Sequence, residues 1–324
     1  MSSLDRLLRS NLKLKHLQLL VALDQFRHLG RAAEFLALTQ PAVSKTLAEV
    51  ERLVGLQLFV RSTRGTEPTA YGLTLVRFAR SVLADFERTR DEIAAVASGA
   101  AGRVRVGAMV VATPVLLSQA ITRLKAHSAQ TTVLVEEGDL TRLLPRLRLG
   151  ELDLLVSRLE PGYAAPDLET EAFYDEPMAL VTRPQHELAS RRAGRISWAE
   201  LARQPWVMPP PWASSRTKLD QLFYKHQLRP PVDVIETASF LVALTSMDER
   251  GAVGFWARSV AAHYQVRGLV QTLAVKVAME LPPVGLITLR GRLRSPAIEQ
   301  MIDCLRHTAR ELGAPAAASA HVSP

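Results

Sequence analysis

The chain has one cysteine, Cys304, in 324 residues. It therefore cannot close an internal disulfide or supply a multi-cysteine zinc or iron–sulfur site. Long apolar runs are missing too: no stretch reaches the ~18 uninterrupted apolar residues that a membrane helix needs. Met1 to Asn11 alternates charge with single leucines and lacks the apolar centre of a signal peptide. A soluble cytoplasmic protein that does not engage a membrane is expected.

Catalytic signatures are also scarce. Ser215-Arg216-Thr217-Lys218 has the S-x-x-K spacing of acyl-transfer serine enzymes, but no companion motif accompanies it. The eight histidines are scattered, and His186-Glu187 lacks the second histidine of a zinc protease. There is no phosphate-binding glycine loop and no dinucleotide fingerprint. Neither a metal, a cofactor nor an enzymatic activity is expected. Cys304 stands beside Ile302 and Leu305 on the apolar side of the last helix, where a buried structural thiol is the default.

What the chain does have is an uneven positive charge. The total is +8, and residues 1–72 carry ten basic and six acidic side chains, hence +4. The other 252 residues share the remaining +4. Such a concentration is expected of a nucleic-acid-binding module, although a solvated basic face would look the same by charge alone.

Periodicity identifies the basic part. Leu14, Leu17, Leu20 and Leu23 form a helical stripe, and a short helix, Arg31 to Ala37, follows Gly30. Leu38-Thr39-Gln40 is a tight connection, with Pro41 suited to a first helical position. The next helix, Pro41 to about Val54, buries Val43, Leu47, Val50 and Val54 and stops at Gly55. Leu56–Val60 and Glu67–Thr69 read as short strands around the basic turn Arg61 to Gly65. Two helices, a three-residue turn and a basic wing make a winged helix-turn-helix, whose second helix enters the major groove of double-stranded DNA. Gln40, Pro41, Ser44 and Lys45 then face base edges. Arg64, at the wing tip, suits the minor groove. Arg31, Thr39 and Arg61 suit phosphates.

Leu73 to Ser98 has no glycine or proline and predicts a helix about 39 Å long at ~1.5 Å per residue. Leu75, Ala79, Val82, Phe86, Thr89, Ile93 and Val96 recur at alternating spacings of four and three. That heptad predicts a dimer seam through Leu75, Val82, Phe86 and Ile93, the alternative being packing against the helix's own domain. Gly99 to Gly102 reads as a hinge. Beyond it strands and helices alternate: Arg103–Val110, Pro114–Ala126, Thr132–Glu136, Leu140–Leu149 and Asp153–Val156 predict a parallel α/β sheet. The order then becomes less regular. Strands are expected near Pro177–Val181, Val232–Glu236 and Gly285–Leu289, with helices near Ser214–His226, Ser239–Glu249 and Ser295–Leu312. The Ala/Pro/Ser-rich tail, 313–324, is expected to be disordered.

Ala32-Ala33-x-x-Leu36-x-x-Thr39-Gln40-Pro41-Ala42-Val43-Ser44-x-x-Leu47 resembles the signature of LysR-type transcriptional regulators. The similarity continues through Val50-Glu51-x-x-Val54-Gly55-x-x-Leu58-Phe59-x-Arg61 and Pro68-Thr69-x-x-Gly72. Two positions depart from the pattern: Gly30 replaces the usual hydroxyl residue at the second helix start, and Val50 replaces a leucine. The stretch from Glu236 to Thr288 is similar to regulators of sugar-binding-protein and aromatic-acid genes within the family.

The resemblance implies a winged helix-turn-helix domain over 1–72 and a linker helix with hinge over 73–101. It implies an α/β effector-binding domain over 102–312, built like a periplasmic binding protein. Its first subdomain would comprise about 102–172 and 277–312, and its second about 173–276, with a small effector in the cleft. Thr113 at a helix start, Ser157 and Arg158 after a strand, Ser214 and Ser215 opposite, and Thr237 and Ser239 would suit a small carboxylate or a sugar. Each hydroxyl also has the plain alternative of a helix cap. Trp212 is a candidate wall, whereas Trp206 fits the core. The implied partners are promoter DNA, the effector, a second copy in a homodimer or homotetramer, and RNA polymerase. A periplasmic-type solute-binding protein is the competing class. The missing signal peptide and the N-terminal helix-turn-helix argue against it.

Overall fold

A computed structural model of the chain describes residues 12–62, 65–98 and 102–313. Arg64, the N-terminal residues 1–11, hinge residues 99–101 and the tail from residue 314 onward lie outside the described residues. The chain forms two compact units, Met1–Arg103 with Leu144–Asp153, and Val104–Leu143 with Leu154–Pro324.

In the first unit, α1 (Leu14–Phe26), α2 (Leu29–Phe35) and α3 (Gln40–Val54) surround a small core. Leu20, Leu23, Ala32, Val43, Leu47 and Val50 are fully buried there. The buried positions of α3 are Val43, Leu47, Val50 and Val54, spaced as its sequence predicts. Thr39 caps this helix, accepting from Ala42 N–H at 3.4 Å, and Gly55 ends it at φ +76°. The cap of α2 differs from expectation. His28, not Gly30, fills it, its Nδ1 accepting from the N–H groups of Gly30 and Arg31 at 3.1 and 3.4 Å. An imidazole acceptor does the work of the usual hydroxyl.

The wing strands β1 (Phe59–Ser62) and β2 (Gly65–Pro68) pair antiparallel and both lie nearer the turn than the sequence pattern suggests, β1 beginning and ending later and β2 beginning and ending earlier. Contacts from Glu51 and Arg27 fix them. Glu51 Oε1 accepts from Leu58 and Phe59 N–H at 2.8 and 3.1 Å. Thr66 N–H donates to Arg27 O at 2.8 Å, and the Arg27 side chain pairs with Asp24 and Glu67. Gly65 sits at φ +137°, where a Cβ would stand 2.6 Å from Arg27 O, so this approach requires glycine. The long helix α4 (Ala70–Ser98) starts three residues before its expected first turn. Thr69 makes that possible by accepting from Gly72 N–H at 3.1 Å.

The second unit contains two five-stranded sheets. The first has the order β4-β3-β5-β12-β6, formed by β3 (Arg103–Ala108), β4 (Thr132–Glu137), β5 (Leu154–Arg158), β6 (Leu168–Tyr174) and β12 (Val284–Leu289). β3 and β5 are parallel, but β12 runs antiparallel to both β5 and β6. The second has the order β11-β7-β10-β8-β9, formed by β7 (Met178–Thr182), β8 (Trp206–Met208), β9 (Val234–Glu236), β10 (Val253–Ala257) and β11 (Gln271–Thr272). Here β8 is parallel to β9 and β10, while β7 is antiparallel to β10 and β11. Both sheets are thus mixed, where alternation alone predicts parallel ones. Two returning segments cause this, because the chain crosses between sheets after β6 and again before β12.

The helices that follow are α5 (Ser118–His127), α6 (Leu140–Leu149, whose residues from Leu144 onward fall in the first unit), α7 (Trp198–Leu201), α8 (Ser214–Lys225), α9 (Phe240–Arg250), α10 (Arg258–Gln265) and α11 (Pro296–Gly313). A π-helical turn, Thr113–Leu117, precedes α5. Trp206 belongs to the core, with its indole N–H donating to Leu201 O at 2.8 Å.

Candidate DNA interface and effector cleft

The first turn of α3 is exposed on one side and anchored on the other. Thr39, Gln40, Pro41 and Lys45 are exposed, Ser44 is half-buried, and Val43 and Leu47 hold the opposite face in the core. Arg61 crosses from β1 to this turn, donating to Ser44 Oγ at 3.1 Å. Arg31 is exposed on α2. The space beside Gly30 is shared with Gln40, whose Oε1 would lie 3.7 Å from a Cβ at Gly30. Thr39 has a structural duty in capping α3, which leaves its hydroxyl hydrogen for a phosphate.

The heptad of α4 divides into two parts. Ala79 is fully buried in the core of its own unit, and Leu75 and Val82 pack partly against it. Phe86 and Ile93 are 52% and 65% exposed. The seam positions thus belong half to the domain core and half to an open apolar surface.

In the second unit a cleft of about 530 Å³ is lined by both sheets' loops. One wall holds Val110, Asp139, Glu160 and Tyr163; the other holds Trp212, Ser214, Ser215, Thr237, Ser239, Phe240 and Trp256. That volume lies within the usual range for small-ligand sites. Ser214 Oγ donates to Glu160 Oε1 across the cleft. Thr237 Oγ1 accepts from Ser239 N–H at 3.0 Å, and Ser239 caps α9 by accepting from Val242 N–H at 3.3 Å.

Two expected residues are not in the lining. Thr113 donates its hydroxyl back to Met109 O at 3.1 Å, inside the π-helical turn. Ser157 is fully buried and donates to Arg158 O at 3.0 Å. Neighbouring strand residues point to opposite faces, so Ser157 turns away as Arg158 turns towards the cleft. Arg158 itself is committed. Its guanidinium donates to Pro282 O at 2.9 Å and Glu176 O at 2.7 Å, one carbonyl on each segment that crosses between the sheets. Burial pulls its pKa below the ordinary arginine value, opposed by Glu176 and Glu160. Burial also pushes the nearby Tyr174 phenol upward, keeping it neutral.

The cleft acids are absent from the sequence-based expectations. Asp139 precedes α6, and hydrogen bonds from Thr141, Arg142 N–H and Trp212 hold its carboxyl below the usual aspartate value. An Asp directly before an apolar-periodic helix is a cap signal, so this residue was findable. Glu160 and Phe240 had no comparable local signal. Among the described residues, no cluster of His, Cys, Asp or Glu could hold a metal ion, and no helix is long and apolar enough to cross a membrane.

A helix with an exposed first turn on a small winged unit and a ligand-sized cleft between two mixed sheets make the architecture of a winged helix-turn-helix protein with a ligand-binding domain. The chain belongs to the LysR family of transcriptional regulators. Residues 14–73 match the model described as bacterial regulatory helix-turn-helix protein, lysR family, and residues 97–310 match the LysR substrate binding domain. It is 32% identical to the HTH-type transcriptional regulator GbpR of Azospirillum brasilense over 302 residues, covering 92% of this chain and 87% of that relative. It is 28% identical to the HTH-type transcriptional regulator PcaQ of Agrobacterium fabrum, covering 93% and 96%. The crystal structure of full-length CbnR in complex with its target DNA shares the fold, with TM-score 0.68, 19% identity, and coverage of 92% and 100%.

The protein is a DNA-binding transcriptional regulator with a C-terminal effector-binding domain, and the family is not one of enzymes or transport proteins. Its members bind promoter DNA and small effectors and form oligomers.

Proposed function

We propose that α3 reads a promoter through Gln40, Pro41, Ser44 and Lys45, while Arg31, Thr39 and Arg61 hold phosphates and Arg64 reaches the minor groove. The observation that carries this reading is the first turn of α3, exposed on one face and locked into the core by Val43 and Leu47 on the other. A rigid mount is what base readout needs, since phosphate contacts set the register and base edges give the sequence. Two copies join through Phe86 and Ile93 of α4, and pairs of dimers occupy two spaced half-sites in the cytoplasm. A small polar effector in the cleft changes the spacing between the two sheets, and with it the arrangement of the dimers and their access to RNA polymerase. For that, the effector must bind one arrangement more tightly than the other.

The test is protection of the DNA upstream of a divergently transcribed neighbouring gene. A dyad should be protected by the wild-type protein and lost to Gln40→Ala at equal concentration. Equal binding to that site and to a scrambled one would overturn the reading.

A further inference from the structure

Arg27, in the first unit, holds an unfavourable backbone conformation. It ends α1 in the left-handed region, at φ +50° and ψ +22°, where a Cβ crowds the following carbonyl and glycine is the usual occupant. Its N–H donates to Leu23 O at 3.0 Å, a helix stop that glycine would make with less strain. What glycine lacks is the guanidinium. A strained position persists only where its surroundings hold it, so the contacts of this side chain indicate what the strain serves.

The side chain reaches two elements at once. Nε donates to Asp24 O at 2.6 Å and Nη2 to Asp24 Oδ1 at 2.8 Å, while Nη1 donates to Glu67 Oε2 on β2. The Arg27 carbonyl accepts from Thr66 N–H at 2.8 Å, one residue before Glu67 in the strand. Side chain and backbone of a single residue therefore clamp two consecutive residues of β2 to the end of α1. Asp24 is itself fixed from α4, its Oδ2 accepting from Arg80 Nη2 at 3.0 Å.

The clamp continues into the first turn of α3. Thr66 stands opposite Arg61 in the wing ladder, and Arg61 donates to Ser44 Oγ. Contacts thus run without a break from Arg80 through Asp24, Arg27, Thr66 and Arg61 to Ser44. A direct phosphate contact is the plain alternative for a basic residue beside the wing. Against it, all three guanidinium nitrogens of Arg27 already donate to two carboxylates and a carbonyl of the chain.

Resting on the reading that the first turn of α3 faces base edges, we propose that Arg27 is a positioning residue that determines sequence preference without touching DNA. By clamping the wing to α1 it sets where Arg61 and Ser44 meet the bases.

The experiment uses the full-length protein and two fluorescent duplexes. One is enriched from a randomised pool by the wild type, and the other is its scrambled counterpart. Anisotropy titrations over a range of salt give the ratio of the two affinities and the salt slope. Arg27→Gly removes the clamp together with the backbone strain. Arg27→Lys keeps the charge, but one ammonium cannot reproduce the fork that spans Asp24 and Glu67. Both should lower the ratio by roughly five- to tenfold, the low end of what one base contact contributes, with the salt slope unchanged. The ratio cancels the general repulsion from an unpaired Glu67, because both duplexes carry the same phosphates. Glu67→Gln, at an exposed side chain, should lower the ratio in the same direction with the melting profile unaltered. A fall of about one in the salt slope for Arg27→Gly, with the ratio intact, would make Arg27 a phosphate ligand and overturn the proposal. An unchanged ratio in Glu67→Gln and Arg27→Lys would overturn it as well. Gln40→Ala tests the underlying reading separately. If it keeps the wild-type ratio, α3 does not read bases as assigned; if it loses the ratio while the Arg27 and Glu67 variants keep theirs, only the clamp is wrong.

Discussion

Arg61 donates from Nη2 to Ser44 Oγ across 3.1 Å, so a wing-strand side chain grips the helix turn that carries Gln40 and Pro41. The two residues therefore act on DNA as a coupled pair. Ser44→Ala should relax sequence preference at one base pair, at a cost of about 1–3 kcal/mol if the hydroxyl makes a full base contact. Arg61→Ala should weaken cognate and scrambled DNA alike and lower the salt slope by about one. It also frees Ser44, so the double variant should lose less than the two single losses combined. Strict additivity in fluorescence-anisotropy titrations would contradict the coupling.

The open half of the α4 heptad carries the second prediction. Phe86 and Ile93 are more than half exposed, so aspartates there leave each protomer folded. Phe86→Asp with Ile93→Asp should halve the assembly in sedimentation while leaving the far-UV circular dichroism unchanged. Ala79→Asp is the contrasting case. Ala79 is fully buried beside Val76, and a charge there should unfold the first unit. An unaltered sedimentation profile for the exposed pair would place the seam elsewhere.

Arg158 is a brace between the two crossing segments. Its removal leaves the carbonyls of Pro282 and Glu176 without their donor. Arg158→Met should destabilise the effector domain by roughly 2–5 kcal/mol in denaturant titration, the cost of two buried acceptors left unpaired. Arg158→Lys should not restore it, because one ammonium cannot reproduce the planar fork that reaches two carbonyls. DNA affinity in the absence of effector is read separately, and its preservation would place the damage in the brace.

The sequence was most legible where one periodic signal had one structural outcome. The stripe Val43, Leu47, Val50 and Val54 fixed α3, and a threonine before Gln40 and Pro41 fixed its start. The heptad was less legible because a spacing of seven marks an apolar face without saying what covers it. Its first half packs inside its own unit and its second half stays open. The effector cleft was harder still. Thr113 and Ser157 have the hydroxyls a polar ligand wants, yet a π-helical turn and strand alternation turn both away. Glu160 and Phe240 reach the cleft only because the chain crosses between sheets twice, and no local pattern records that. The His28 cap was missed for a different reason: imidazole is an uncommon cap, and Gly30 beside it looked sufficient.

The last prediction concerns pH. His16 is fully buried in the helix-turn-helix core, with Nδ1 accepting from Lys13 N–H at 3.3 Å. Burial pushes its pKa below the ordinary value of 6.5, Glu49 opposing and Lys15 and Lys13 adding to the shift. In the folded protein the ring is therefore neutral where the unfolded chain's ring has begun to take up a proton. More protons on the unfolded state mean that stability rises with pH. The contribution of His16 is fully present above pH 6.5, and it is lost as pH falls through that value until the folded-state pKa is reached. His186 and His263 are lowered by burial as well, so the wild-type slope has several sources. His16→Gln isolates one of them, since glutamine keeps an acceptor for Lys13 N–H at the capping-box position without titrating. Denaturant unfolding followed above and below pH 6.5 should show a smaller loss of stability on acidification for His16→Gln than for the wild type. A variant slope equal to that of the wild type would mean that His16 does not titrate differently in the two states.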